Sequence, residues 1–109
     1  MPNDFEAPCA PVERTITVGK KSAIYRFTEP SAVVVEALFD LFDAEGKADP
    51  VKLLGQKFRM IAAIVSRADG TRISIEEAGA MSALVVKALN AEALKIIGNE
   101  QDAGEAGNV

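Results

Sequence analysis

The sequence predicts a mainly α protein, a compact bundle of three to four helices preceded by a small N-terminal β-hairpin. Three observations carry that expectation. Apolar residues recur at helical spacing through much of residues 28–98, capping residues and prolines stand where those stretches begin, and one glycine separates two alternating runs near the N-terminus.

Residues 1–12 hold Pro2, Pro8 and Pro11 with no period and read as a flexible arm. In "RTITVGKKSAIYRF", Ile16 and Val18 alternate with Thr15 and Thr17, and Ala23, Tyr25 and Phe27 with Ile24 and Arg26. With Gly19 free to take positive φ between the runs, strands are expected over about 14–18 and 22–27. "TEPSAVVVEALFDLFDAEG" begins a helix with Thr28 as cap and Pro30 in the first turn. Val34, Leu38, Leu41 and Phe42 form its apolar face, Glu36, Asp40 and Asp43 its polar one, and Gly46 ends it. A second helix starts at Asp49-Pro50, with Val51, Leu54, Phe58, Ile61 and Val65 as its core stripe. Asp69-Gly70 turns the chain, and Ser74 with Glu77 forms a capping box. The third helix then runs through Ile75, Ala78, Ser82, Val85 and Leu89, and Asn90 caps a short fourth, "AEALKII", closed by Gly98. The domain therefore spans 13–98, and residues 99–109 form a polar, acidic, disordered tail.

Charge narrows the function classes. The net charge of −4 is concentrated at the ends, and residues 13–98 carry eleven acidic and twelve basic side chains. No basic stripe suits a phosphate backbone, so nucleic acid is not an expected partner. The longest uncharged runs fall short of the roughly 18 residues a membrane span needs, and the N-terminus has no secretory pattern. Cys9 is the only cysteine, which points to a reducing compartment.

"SRADGTRISIEEAGAM" has the look of a calcium loop, but with Gly70 at the sixth position the first and third positions fall on Val65 and Arg67. The same test at Gly46 puts Leu41 and Lys52 where ligands belong. No metal and no cofactor is expected. The chain has no histidine, no GxGxxG, no GxxxxGK[ST] and no CxxC, and Cys9 lies in an arm with nothing to place a base beside it. An enzyme is not expected.

The second helix carries more apolar surface than one contact needs. Leu53, Met60 and Ile64 form a second stripe about 100° or more from the Phe58 stripe, with Lys52, Gln56 and Arg59 between. A central helix that packs on both sides accounts for such a stripe, and so does a face for a partner or a second copy. The partner-contact residues expected on the second account are Phe39, Leu53, Met60 and Ile64; Met60→Asp or Ile64→Asp would then weaken binding and leave the fold mostly intact.

The order of these features resembles the tail assembly chaperones of long-tailed bacteriophages. The likeness spans about residues 14–98: the hairpin "ITVGKKSAIYRF", a capped helix rich in Glu, Leu and Phe, "AAIVSRADGTRISIEEAGAM", and "LNAEALKIIG" before a polar tail. It implies a non-enzymatic protein that keeps the tape measure protein soluble, helps recruit tail tube protein, self-associates, works in the cytoplasm of the infected host and leaves the finished virion. It also implies a minority longer product made by frameshifting. The alternatives are a small structural virion component, such as a connector or tail-completion protein, and a helix-binding adaptor.

Overall fold

A computed structural model describes residues 5–98. The first four residues of the arm and the acidic tail lie outside them. The chain forms strands β1 (Val12–Val18) and β2 (Lys21–Phe27), helices α1 (Ala32–Leu38) and α2 (Pro50–Ile64), strand β3 (Val65–Arg67), and helices α3 (Ile75–Ala80) and α4 (Ala83–Ile96). The strands make one antiparallel sheet in the order β1-β2-β3. The fold is therefore α+β, and the expected mainly α bundle is corrected on two counts: a third strand exists, and the first helix is short.

The hairpin is the part the alternation predicts best. Val18 pairs with Lys21 across a two-residue turn, and Gly19 takes φ 63°, the conformation that a II′ turn needs in its first central position. The pairing runs without a bulge to Val12↔Phe27. Ile16 and Phe27 turn into the core.

β3 replaces what looked like the end of the second helix. The helix stops at Ile64, whose carbonyl accepts from the Thr28 backbone N–H at 2.9 Å, and Val65 pairs with Phe27. A β-branched residue beside an open strand gains a ladder there that a last helical turn does not offer. The Asp69-Gly70 corner follows. Gly70 has φ 90°, its N–H donates to the Arg67 carbonyl, and Arg67 N–H donates to the Thr71 carbonyl. A bridge between Ser66 and Arg72 completes the closure. The corner thus joins a strand to a helix, not two helices.

α1 ends at Leu38 because the aspartates beyond it serve the backbone in a non-helical way. Asp40 Oδ1 accepts from Phe42 N–H, and Asp43 Oδ1 accepts from the N–H groups of Glu45 and Lys47, each at 2.9 Å. Its N-cap is Ser31, not Thr28. The break expected at Asn90 lies instead at Met81–Ser82. Asn90 sits inside α4, where its amide nitrogen donates to the Val86 and Lys57 carbonyls.

The core gathers Phe27, Ile61, Ile64, Ile73 and Leu89, all fully buried, with Leu38, Met60, Val65, Ala78, Val86 and Ala93 around them. The C-terminal part of α2, β3, α3 and α4 enclose it, and the sheet closes one side.

Candidate partner-binding surface

α2 begins as the sequence predicts. Asp49 caps it, its carboxylate accepting from the Val51 and Lys52 N–H groups, and Pro50 opens the first turn. The apolar residues of that turn are not buried. Val51 is 77% exposed and Leu54 79% exposed, so the two positions that head the expected core stripe face solvent. Phe58, next along, is half-buried, and only Ile61 and Val65 lie in the core.

The second stripe behaves in the opposite sense. Met60 is 3% and Ile64 2% exposed, so both belong to the core, and their assignment as partner contacts is corrected. Leu53, at 46%, does reach the surface. Phe39 is half-buried, packed on the core at one side and lining a shallow cleft with Val33, Glu36, Ala37 and Asp40 at the other. Of the four predicted contacts, the structure leaves Leu53 and part of Phe39 accessible.

Geometry explains the reversal. Leu53, Lys57, Met60 and Ile64 share one helical face by their spacing. Met60 and Ile64 are buried, while Leu53 and Lys57 on the same face are exposed. The face is not what changes; the core stops. Asn90 of α4 reaches the Lys57 carbonyl at 3.3 Å, and in the two turns of α2 before that crossing Val51, Leu53 and Leu54 stay exposed.

Next to this projection lies the segment after α1. Gln56 donates to the Leu38 carbonyl at 3.1 Å, and Lys52 Nζ donates to the Phe42 carbonyl at 2.7 Å and faces Asp40 at 3.6 Å. Arg59 folds back along α2 to donate to the Lys52 carbonyl. These bonds fix the loop against the first turns of α2 and leave the Phe42 ring 55% exposed. Val33 and Val34 on α1 are exposed as well. Exposed apolar side chains thus stand on α1 (Val33, Val34), on the loop (Phe42) and on the first turns of α2 (Val51, Leu53, Leu54), with Glu36, Asp40, Lys52 and Lys57 among them. Sequence periodicity missed Val33, Phe42, Val51 and Leu54 because it assigns a face, not how far along a helix the core reaches.

A separate cleft of about 520 Å³ is lined by Phe5, Pro8, Cys9, Glu29, Pro30 and Val35 among others. The Cys9 N–H donates to Glu29 at 2.7 Å. Hydrogen bonding to Glu29, and then its charge, push the thiol pKa up, while the Cys9 backbone N–H lowers that of Glu29. A raised thiol pKa is the reverse of what a nucleophile needs. Among the described residues no three His, Cys, Asp or Glu side chains converge as a metal site, and no helix is long and apolar enough to cross a membrane. The carboxylates of the Asp69–Glu77 corner serve the backbone: Asp69 accepts from Thr71 N–H, and Glu77 completes the capping box with Ser74 and pairs with Arg67 at 3.5 Å.

Comparison with known proteins gives no match: no family model fits the chain, and no curated protein and no solved structure is significantly similar to it.

Proposed function

We propose that this chain is a non-enzymatic assembly protein that binds an apolar helical client through the projecting turns of α2 and the adjoining α1 segment. Its client is the tape measure protein of a long-tailed bacteriophage, which it keeps soluble in the host cytoplasm while tail tube subunits are recruited, and it is absent from the finished virion. The observation that carries the reading is the exposure of Val51 and Leu54 at the start of a helix whose other half forms the core.

Physical chemistry supports that use of the surface. Burying a side chain such as leucine or valine stabilises by about 1.5–3 kcal/mol, before ordering costs are subtracted. A few such residues, presented on a helix that is anchored elsewhere, suit an amphipathic client helix laid alongside. The edging charges of both signs set its orientation more than its affinity. The resemblance in the order of elements, from hairpin to small-residue helix, adds the phage setting.

Co-expression with the tape measure protein tests the reading. The client, insoluble alone, becomes soluble with the native chain and not with the double variant V51D/L54D, whose own thermal unfolding stays close to native. A client that remains insoluble with the native chain overturns the proposal, and so does equal rescue by V51D/L54D. Mass spectrometry of purified particles adds an independent check, since a stoichiometric amount of this chain there would make it a structural component.

A further inference from the structure

The hairpin carries an apolar groove that shares no residue with the α1–α2 surface. Strand alternation and register set Val18 with Lys21, Ile16 with Ala23 and Arg14 with Tyr25 on one face of the sheet. Ile16 and Phe27 bring that face into the core. α4 packs on it, with Glu92 3.3 Å from Arg14 and Val85 nearer the turn. Toward the turn Val18 is only half-buried, and Lys21 and Ala23 are exposed. There Ile16, Val18, Ala23, Tyr25 and Val85 line an open groove of about 240 Å³, with Lys21 as its charged group. Ala23 makes the depression, because this small residue stands between the larger Lys21 and Tyr25 along β2.

The charge in the groove is uncompensated. No carboxylate lines it. Among the described residues neither Lys21 nor its neighbour Lys20 has an acidic partner, and the Tyr25 hydroxyl has no hydrogen bond. Glu92, the acid that α4 brings to this face, pairs with Arg14 and Lys95. These features select a guest. An apolar guest alone would strip water from the Lys21 ammonium and give it no acceptor. A basic guest would meet repulsion from Lys20 and Lys21. A carboxylate next to an apolar group satisfies both the lining and the ammonium, through a charge-assisted hydrogen bond. Size narrows the choice further. At about 240 Å³ the groove falls below the roughly 300–1,000 Å³ of sites that enclose a small molecule, so it takes a side chain of a larger partner.

We infer that this groove docks an acidic peptide segment of another protein, with one large apolar side chain over Ala23 and a neighbouring carboxylate on Lys21. Lys20, the next residue toward the turn, attracts a second acid of the same segment. The apolar contact supplies most of the affinity, and the two lysines supply the preference for acidic segments. The inference does not rest on the client-binding reading. It uses no residue of the α1–α2 surface, so the two sites can be filled at once.

NMR titration of the full chain with the acetylated and amidated pentapeptide ALDEA tests it. The methyl signals of Val18, Ala23 and Val85 shift and saturate with a Kd on the order of 1 mM, the affinity that one buried side chain and one or two ion pairs supply. Replacing the leucine of the peptide by alanine, or its two acids by glutamine, weakens binding about fivefold, and these controls require no change in the protein. Exposed positions give the matching variants. Ala23→Leu fills the groove and Lys21→Glu reverses its charge, and each weakens ALDEA about tenfold. Shifts that fail to saturate by about 10 mM, binding unchanged in Lys21→Glu, or equal binding of the three peptides overturns the inference. Octanoate bound more tightly than ALDEA overturns the peptide occupant in favour of a small amphiphile. Groove signals that move on dilution of the chain alone overturn it in favour of a second copy. V51D/L54D binds ALDEA as the native chain does, so failure here and failure of the client reading are told apart.

Discussion

In the second half of α2, Met60, Ile61 and Ile64 are buried in one cluster with Phe27 and Leu89. In its first two turns Val51, Leu53 and Leu54 stand in solvent. Both halves are rich in large apolar residues, and they belong to one continuous 15-residue helix, about 22 Å long. What separates them is the reach of the neighbours: α4 crosses at Lys57, and before that point the loop after α1 meets α2 on the side of Lys52 and Gln56, leaving Val51, Leu53 and Leu54 exposed. A helix longer than the core it helps to build is a lever, anchored at one end and offering apolar side chains at the other.

The largest effects come from attacking the anchored half. Ile64→Asp places an unpaired carboxylate among the core residues at a cost of several kcal/mol, comparable to the whole stability of a small domain. The variant is expected to be unfolded by circular dichroism, as is Met60→Asp. Ile61→Ala, which only opens a cavity, is expected to lose about 2–5 kcal/mol in denaturant titration. The matching change in the projecting half, Leu54→Ala, stays within about 0.5 kcal/mol of native. If the two alanine variants lose similar stability, the halves are not different and the lever does not exist.

A middle-sized effect isolates the lever itself. Asp49→Ala removes the carboxylate that accepts from the Val51 and Lys52 N–H groups and is expected to cost about 1 kcal/mol. The loss should be local: amides at 52–55 lose hydrogen-exchange protection while those at 60–64 keep it. Equal loss at both ends would mean that the helix opens as one unit.

The contrast also marks what the sequence could and could not reveal. The hairpin was legible because alternation and Gly19 are local signals, and so were the Asp49 cap and the Ser74–Glu77 box. β3 was not, since Val65–Arg67 continues an apolar helical run and becomes a strand only because Phe27 and Arg26 offer it a ladder. α1 was overestimated because Asp40 and Asp43, placed on its polar face, turn back to their own backbone. The surface was half legible. Two apolar stripes on α2 announce more apolar area than one contact needs, and Leu53 of the second stripe is exposed, but the partner-face account puts Met60 and Ile64 outside and the core stripe puts Val51 and Leu54 inside, the reverse of their burial. Helical period fixes the angle of a side chain about the axis; where the neighbouring helix ends is a tertiary fact.

Gly55 sharpens the comparison with a smaller effect. It sits where the two halves meet, and a Cβ built there comes within 2.6 Å of Arg59 Nη1. That atom is the end of a flexible side chain, so the guanidinium moves aside and gives up its bond to the Lys52 carbonyl. Alanine gains about 1 kcal/mol of helix propensity, against about 0.5–1.5 kcal/mol for the bond. Gly55→Ala is expected to shift stability by less than about 1 kcal/mol and to stiffen the projecting turns, seen as greater protection of their amides. A loss of several kcal/mol would show that Arg59 does more than lie along the helix.

The smallest effect concerns acid, and it touches only the anchored side. Glu77 has its pKa lowered below the ordinary 4.5, first by the Ser74 N–H that it accepts and then by the Arg67 charge. Asp69 is lowered below 3.8 by its hydrogen bonds with Thr71. A carboxylate whose folded pKa is depressed stabilises the fold above its unfolded value, and that contribution is lost as pH falls through the folded one. Both groups are exposed, which keeps the contribution small. Between neutral pH and the upper 4s stability should therefore be flat with respect to these two groups, and below that range the corner after β3 should loosen. Glu77→Gln removes part of the slope. Protection factors at 66–78 should fall with acid less in Glu77→Gln than in the native chain. If acid loosens the corner equally in both, the Glu77 carboxylate does not hold it, and the link between the capping box and the strand–helix corner is wrong.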